Sequence, residues 1–315
     1  MFSEIKLVTL GVRDLDRSIA FFADAFAFEE ISRTRVDHEA LSEAWRIPHG
    51  IGGRFAVMGI PGIDSGMVRL VEWTPAGEHV WDAPARFQDL GPYGINFRVK
   101  DVAAAWDNIG RSGSREKSKP TYWEGEQNFA SWDSKSYDPD GTVLNVFQVV
   151  GELERALGTF APGYDSTEVH SLTLHCSDAR RSESFYAGLG FEPLYDRVID
   201  NLWNFLELPQ GTKLHNINLI MRGDRAGGRI ELAHYIGLPG RSLKPRTAPP
   251  ARGPMMMSMK VDNVDLASAR MKNLGAKKIG SCRYASPPFG EVAAATFFGP
   301  DDEVIEIFEV AVAQR

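Results

Sequence analysis

A chain of 315 residues that is 43% hydrophobic and 24% charged has the make-up of an ordinary soluble protein, with room for about two domains. A formal net charge of -7 leaves no basic footprint for nucleic acid or for an anionic membrane surface, so the expected partner is a small molecule. Two cysteines, Cys176 and Cys282, make no disulfide framework, and Met1 to Leu10 lacks a basic region followed by a long apolar core, so the expected compartment is the cytoplasm.

In chain order, Ile5 to Val12 alternates as a strand, Asp14 offers an N-cap carboxylate, and Phe21 and Phe22 mark the inward face of an amphipathic helix. Strands are expected over residues 53–61 and 66–73. A connection bearing Gly and Pro then leads to residues 94–113, which again read as strand, Asp101, helix and a closing Gly. An aromatic segment with Tyr122, Trp123, Phe129 and Trp132 follows, suited to shaping a pocket or to covering the domain. Asp140-Gly141 is the turn between two short runs. Residues 151–167, with Gly158, Pro162 and Gly163, read as a linker.

The third copy of the pattern is His170 to Gly190. Leu172, Leu174 and Cys176 alternate with Ser171, Thr173 and His175, Asp178 caps a helix, and Gly190 ends it. Strands are expected over 214–223 and 227–237, then a Pro-rich connection over 237–254. The fourth copy, over residues 255–310, has Asn263 in the cap position. Four units at a period of about 80 residues form a repeat, and a unit with one helix face and one sheet face cannot bury both alone.

The strand-Asp-helix phrases around Asp14 and Asp178, with the turns DPDGTVLNVF and GPDDEVIEIFE, resemble the vicinal oxygen chelate superfamily. That superfamily includes glyoxalase I, bleomycin-resistance proteins, methylmalonyl-CoA epimerase and the extradiol dioxygenases, and four modules at this length are most similar to the last. The resemblance implies an α+β fold of four βαβββ modules paired into two domains, with curved mixed sheets and helices outside. Consecutive pairing gives an N-terminal module pair at 1–150 and a C-terminal pair at 168–315, with the candidate site in the second.

In the superfamily, metal ligands come from the first and last strands of each module. Carried onto this chain, the first-strand positions are Leu7, Gly94, Ser171 and Met256, and the last-strand positions are Arg69, Asn145, Glu231 and Glu306. The family ligand set is incomplete, and any divalent metal would rest on Glu231 and Glu306, with His170 if a strand bulge turns it inward. Strand parity places Ser171, Thr173 and His175 inside the expected C-terminal cup, together with Met256, Ser258, Lys260 and Tyr235. Glu231, Glu306 and His175 are the candidate catalytic groups, and Ser171, Thr173, Tyr235, Met256, Ser258 and Lys260 the candidate substrate contacts. The two carboxylates also read as a solvated strand end or as an ion pair with Lys260 or Arg229, and His175 reads equally as a core histidine. His170 and His234 have the opposite parity.

The expected function is proton-transfer chemistry, lyase or isomerase, on an oxygenated and partly apolar compound, aromatic in one form of the reading. The alternatives are a protein that sequesters a small molecule and a divergent extradiol dioxygenase. A homodimer is compatible with each.

Overall fold

The computed structural model describes residues 1–124, 130–151, 157–200, 208–222 and 227–311. Module one comprises β1 (Phe2–Val12), α1 (Leu15–Phe26), β2 (Glu29–Arg35), a short α2 (His38–Leu41), β3 (Gly52–Gly59) and β4 (Met67–Thr74). Module two has β5 (Gly91–Arg98), α3 (Val102–Arg111), β6 (Arg115–Glu124), β7 (Ala130–Tyr137) and β8 (Val143–Val150). Module three has β9 (Ser171–His175), α4 (Ala179–Leu189), β10 (Phe191–Ile199), β11 (Lys213–Met221) and β12 (Arg229–Ile236). Module four has β13 (Gly253–Val261), α5 (Val264–Asn273), β14 (Lys277–Ala285), β15 (Glu291–Phe298) and β16 (Val304–Val310).

The helices begin where side-chain oxygens meet free backbone donors. Asp14 accepts from Arg17 N, Asp101 from Ala103 and Ala104 N, Asp178 from Arg180 and Arg181 N, and Asn263 from Leu266 N. Gly190, at φ 112°, closes α4 in the left-handed conformation. Asp138 accepts from the backbone N–H groups of Asp140, Gly141 and Thr142, which fixes the tight turn from β7 into β8. Among the described residues no helix is long and apolar enough to cross a membrane.

Two eight-stranded mixed sheets result, in the orders β2-β3-β4-β1-β13-β16-β15-β14 and β6-β7-β8-β5-β9-β12-β11-β10. This corrects the expected pairing of consecutive modules: module one joins module four through β1 and β13, and module two joins module three through β5 and β9. The segment expected to separate two domains, 151–167, therefore connects strands of one sheet; residues 152–156 of it are outside the described residues. The physical reason lies in the edges. Each module leaves the free edge of its first strand to be covered by another first strand, and any of the other modules can satisfy that edge.

The convex faces of both sheets and the helices share one core, in which Phe26 of α1 stacks on Phe97 of β5 with ring centroids 3.9 Å apart. A second core fills the concave face of the first sheet. There Leu41, Ala44, Trp45 and Ile47, in and just after α2, pack on Phe55, Tyr284 and Phe308. The aromatic segment of module two divides: Tyr122 and Trp132 are exposed neighbours, Trp123 faces the concave side of the second sheet, and Phe129 is outside the described residues.

Candidate active site

The concave face of the second sheet encloses a cavity of about 460 Å³. Strand alternation turns Asn96 of β5, Ser171 and Thr173 of β9, Asn216 of β11 and Glu231 of β12 toward it, while Leu172, Leu174, Ile217 and Leu232 enter the convex core. The half-buried Glu231 carboxylate is held by three donors: Thr173 Oγ1 at 2.6 Å and Asn96 Nδ2 at 3.0 Å on Oε2, and Asn216 Nδ2 at 2.8 Å on Oε1. Asn96 Nδ2 also approaches Ser171 Oγ at 2.8 Å, so one amide ties two modules together beneath the cavity.

One end of the cavity is a cluster of rings. His175 stacks on Tyr93 with centroids 4.2 Å apart, and Trp81, Phe87 and Tyr235 stand edge-on around it at 5.4, 5.2 and 5.0 Å. Tyr235 Oη lies 3.4 Å from His175 Nε2. Burial, with Tyr93 and Glu231 nearby, holds the Tyr235 hydroxyl well above the ordinary phenol range, so it remains an O–H donor. Toward module two, Asp133 of β7 accepts from Trp123 Nε1, and burial pushes its carboxyl upward against that hydrogen bond.

His170 also lines the cavity, contrary to its expected parity. Val169 and Leu172 both enter the convex core while His170 and Ser171 both face the cup, so alternation breaks by one residue at the start of β9. Arg229 Nη1 donates to His170 Nε2 at 2.9 Å. Arginine has no acceptor, so Nε2 carries no proton here. Burial and the Arg229 and Arg98 cations depress the imidazole far below its usual pKa, which keeps it neutral. His234 is half-buried and lies off the cavity.

Glu306 is not in this cup, because module four belongs to the other sheet. Its buried carboxylate accepts from Trp45 Nε1 at 2.9 Å and Tyr284 Oη at 3.0 Å on Oε1, and from Ser258 Oγ at 2.7 Å and Arg69 Nη2 at 3.0 Å on Oε2. The expected convergence of Glu231, Glu306 and His175 is thereby corrected, as is a metal set of Glu231, Glu306 and His170. Ser258 serves the Arg69–Glu306 pair, Met256 is core filling in the first cup, and Lys260 is exposed at the end of β13. Asn216 and Tyr93 were not singled out from sequence, although the alternation of Asn216 and Asn218 with Ile217 and Leu219 was the signal that places both amides inward.

Residues 4–146 match the family described as the Glyoxalase/Bleomycin resistance protein/Dioxygenase superfamily. Among solved structures, glyoxalase I from Zea mays is similar at a TM-score of 0.67 and 16% identity, covering 97% of this chain and 92% of that one. A putative dioxygenase from Bacillus subtilis subsp. subtilis str. 168 is similar at a TM-score of 0.61 and 14% identity, covering 99% and 86%. The family match thus covers the first two modules of the chain. At these identities the structural likeness is one of fold. Comparison by sequence with curated proteins finds no match.

The vicinal oxygen chelate fold implies a metal at the ligand positions of its cups, and the residues present do not fit one. In the first cup Arg69 faces Glu306, a cation paired directly with the remaining carboxylate. In the second, Gly94, Asn145 and Ser171 accompany Glu231, whose oxygens take three side-chain donors, and the nearby His170 directs Nε2 at a guanidinium. Among the described residues no three His, Cys, Asp or Glu side chains cluster as a metal site.

Proposed function

We propose that this protein binds a small, partly apolar oxygenated compound in the cup of modules two and three and moves a proton on it, as an isomerase or lyase does. The observation that carries the reading is Glu231: a carboxylate reachable from a cavity of about 460 Å³ and oriented by three neutral donors. A carboxylate offers about four lone-pair sites, so three donors leave capacity for a proton from the substrate. Glu231 would take a proton from carbon beside a carbonyl, and Tyr235 O–H would stabilise the developing oxyanion. His175, boxed by rings beside Tyr235, is a positioning residue in this scheme. Asp133, inclined toward its protonated form, would return a proton from the module-two side.

Sequestration without chemistry is the second reading, favoured by the four aromatic rings packed around His175 at one end of the cavity. Solvent-deuterium exchange into carbonyl compounds found to bind the protein separates the two. Glu231→Gln is expected to lower exchange at least about 100-fold, in the range of a lost general base. Exchange retained within about twofold would sink the proton-transfer reading, and binding with no exchange in the wild type would favour sequestration.

A further inference from the structure

The two cups repeat one carboxylate environment, and the closed cup shows what completes it. Ser258 stands beside Glu306 in the β13–β16 pair as Thr173 stands beside Glu231 in the β9–β12 pair. Both hydroxyls donate to Oε2, at 2.7 and 2.6 Å. A nitrogen donor from the partner module reaches the same oxygen in each cup, Arg69 Nη2 at 3.0 Å and Asn96 Nδ2 at 3.0 Å. Oε1 then takes one donor from its own module, Tyr284 Oη at 3.0 Å or Asn216 Nδ2 at 2.8 Å.

The correspondence ends at the fourth donor. On Glu306 it is the indole N–H of Trp45, at 2.9 Å, delivered by the segment after α2 that fills the first cup. Among the described residues no fourth donor reaches Glu231, and the cavity lies above it. We infer that the ligand of the second cup is a planar aromatic compound that presents a ring O–H or N–H to Glu231 Oε1, in the place Trp45 holds in the first cup. This rests on the reading of the second cup as the ligand site and adds the class of compound it takes.

The chemistry supports a donor over an acceptor or an anion. An ionised carboxylate only accepts, so an ether, ester or carboxylate on the ring would set oxygen lone pairs against oxygen lone pairs. The walls suit a flat body: Trp45 lies edge-on to Tyr284 at 5.9 Å in the first cup, and the second offers the rings of Tyr93, His175 and Tyr235.

Two matched pairs of probes test the inference: phenol against anisole, and indole against 1-methylindole. Each is titrated calorimetrically into the whole protein and located by crystal soaking. The O–H and N–H members are expected to bind in the second cup about 10- to 100-fold more tightly than their methylated partners, the range for a hydrogen bond to a charged acceptor. Glu231→Gln should bring the ratio toward one. Equal affinity within both pairs, with all four compounds in the second cup, overturns the donor inference and leaves the cup reading standing. Rings that bind elsewhere, or not at all, overturn both.

Discussion

Glu231 and Glu306 occupy equivalent strand positions, and their neighbours give them different work. Burial alone would raise the Glu306 carboxyl, but Arg69, Ser258 and Trp45 outweigh it and hold the group below its ordinary range, so the pair is charged on both sides. Removing one partner of such a pair leaves the other charge buried and uncompensated. Glu306→Gln is therefore expected to cost about 3–5 kcal/mol of unfolding free energy. Glu231→Gln, at a half-buried position among neutral donors, should stay within about 1 kcal/mol of the wild type. Urea denaturation of both variants reads the difference; equal losses would mean that Glu231 is as structural as Glu306. The last-strand positions implied by the superfamily resemblance put both carboxylates on a concave surface. They carried no information on which surface, so Arg69 was assigned to a different cup from the residue it pairs with.

Elements were the most legible level of the sequence, because their signals are local. Asp14, Asp101, Asp178 and Asn263 each cap the helix that follows, since a short polar oxygen before an apolar stripe has few other uses. The break in alternation at His170 and the plug after α2 were less visible. A one-residue bulge leaves composition unchanged, and the plug is recognisable only once Leu41, Trp45 and Ile47 are seen against the first sheet. Trp45 gives the plug both its largest apolar surface and its hydrogen bond to Glu306. Trp45→Ala should destabilise the protein by about 3–5 kcal/mol, as large-to-small core substitutions do. The space left retains a carboxylate acceptor beside apolar walls, so millimolar indole should recover part of the loss in a thermal-shift assay. A melting temperature insensitive both to the substitution and to indole would show that the plug contributes little.

At the scale of the whole molecule, each sheet is assembled from modules on opposite sides of the 151–167 segment. The repeat period made the modules visible, but it could not choose their partners, because the exposed edges of β1, β5, β9 and β13 are chemically alike. A fragment ending at residue 150 retains β1 and β5 without β13 and β9, which cover them in the intact chain. Expressed alone, it should be aggregated or bind a hydrophobic dye, and co-expression with residues 151–315 should restore solubility. A monomeric fragment that unfolds cooperatively would contradict this and would show that β1 and β5 can cover one another.

The seams also impose an order on biosynthesis. β5 through β12 are contiguous in the chain, so the cup that holds Glu231 can close as soon as module three has left the ribosome. β1 ends at Val12, whereas the strand that covers it begins only at Gly253. At translation rates of about 5–20 residues per second, the edge of β1 opposite β4 is left uncovered for a time on the order of tens of seconds. The nascent chain thus carries one cup that can close while the other still lacks its last module, with one edge of β1 the strand edge left open longest.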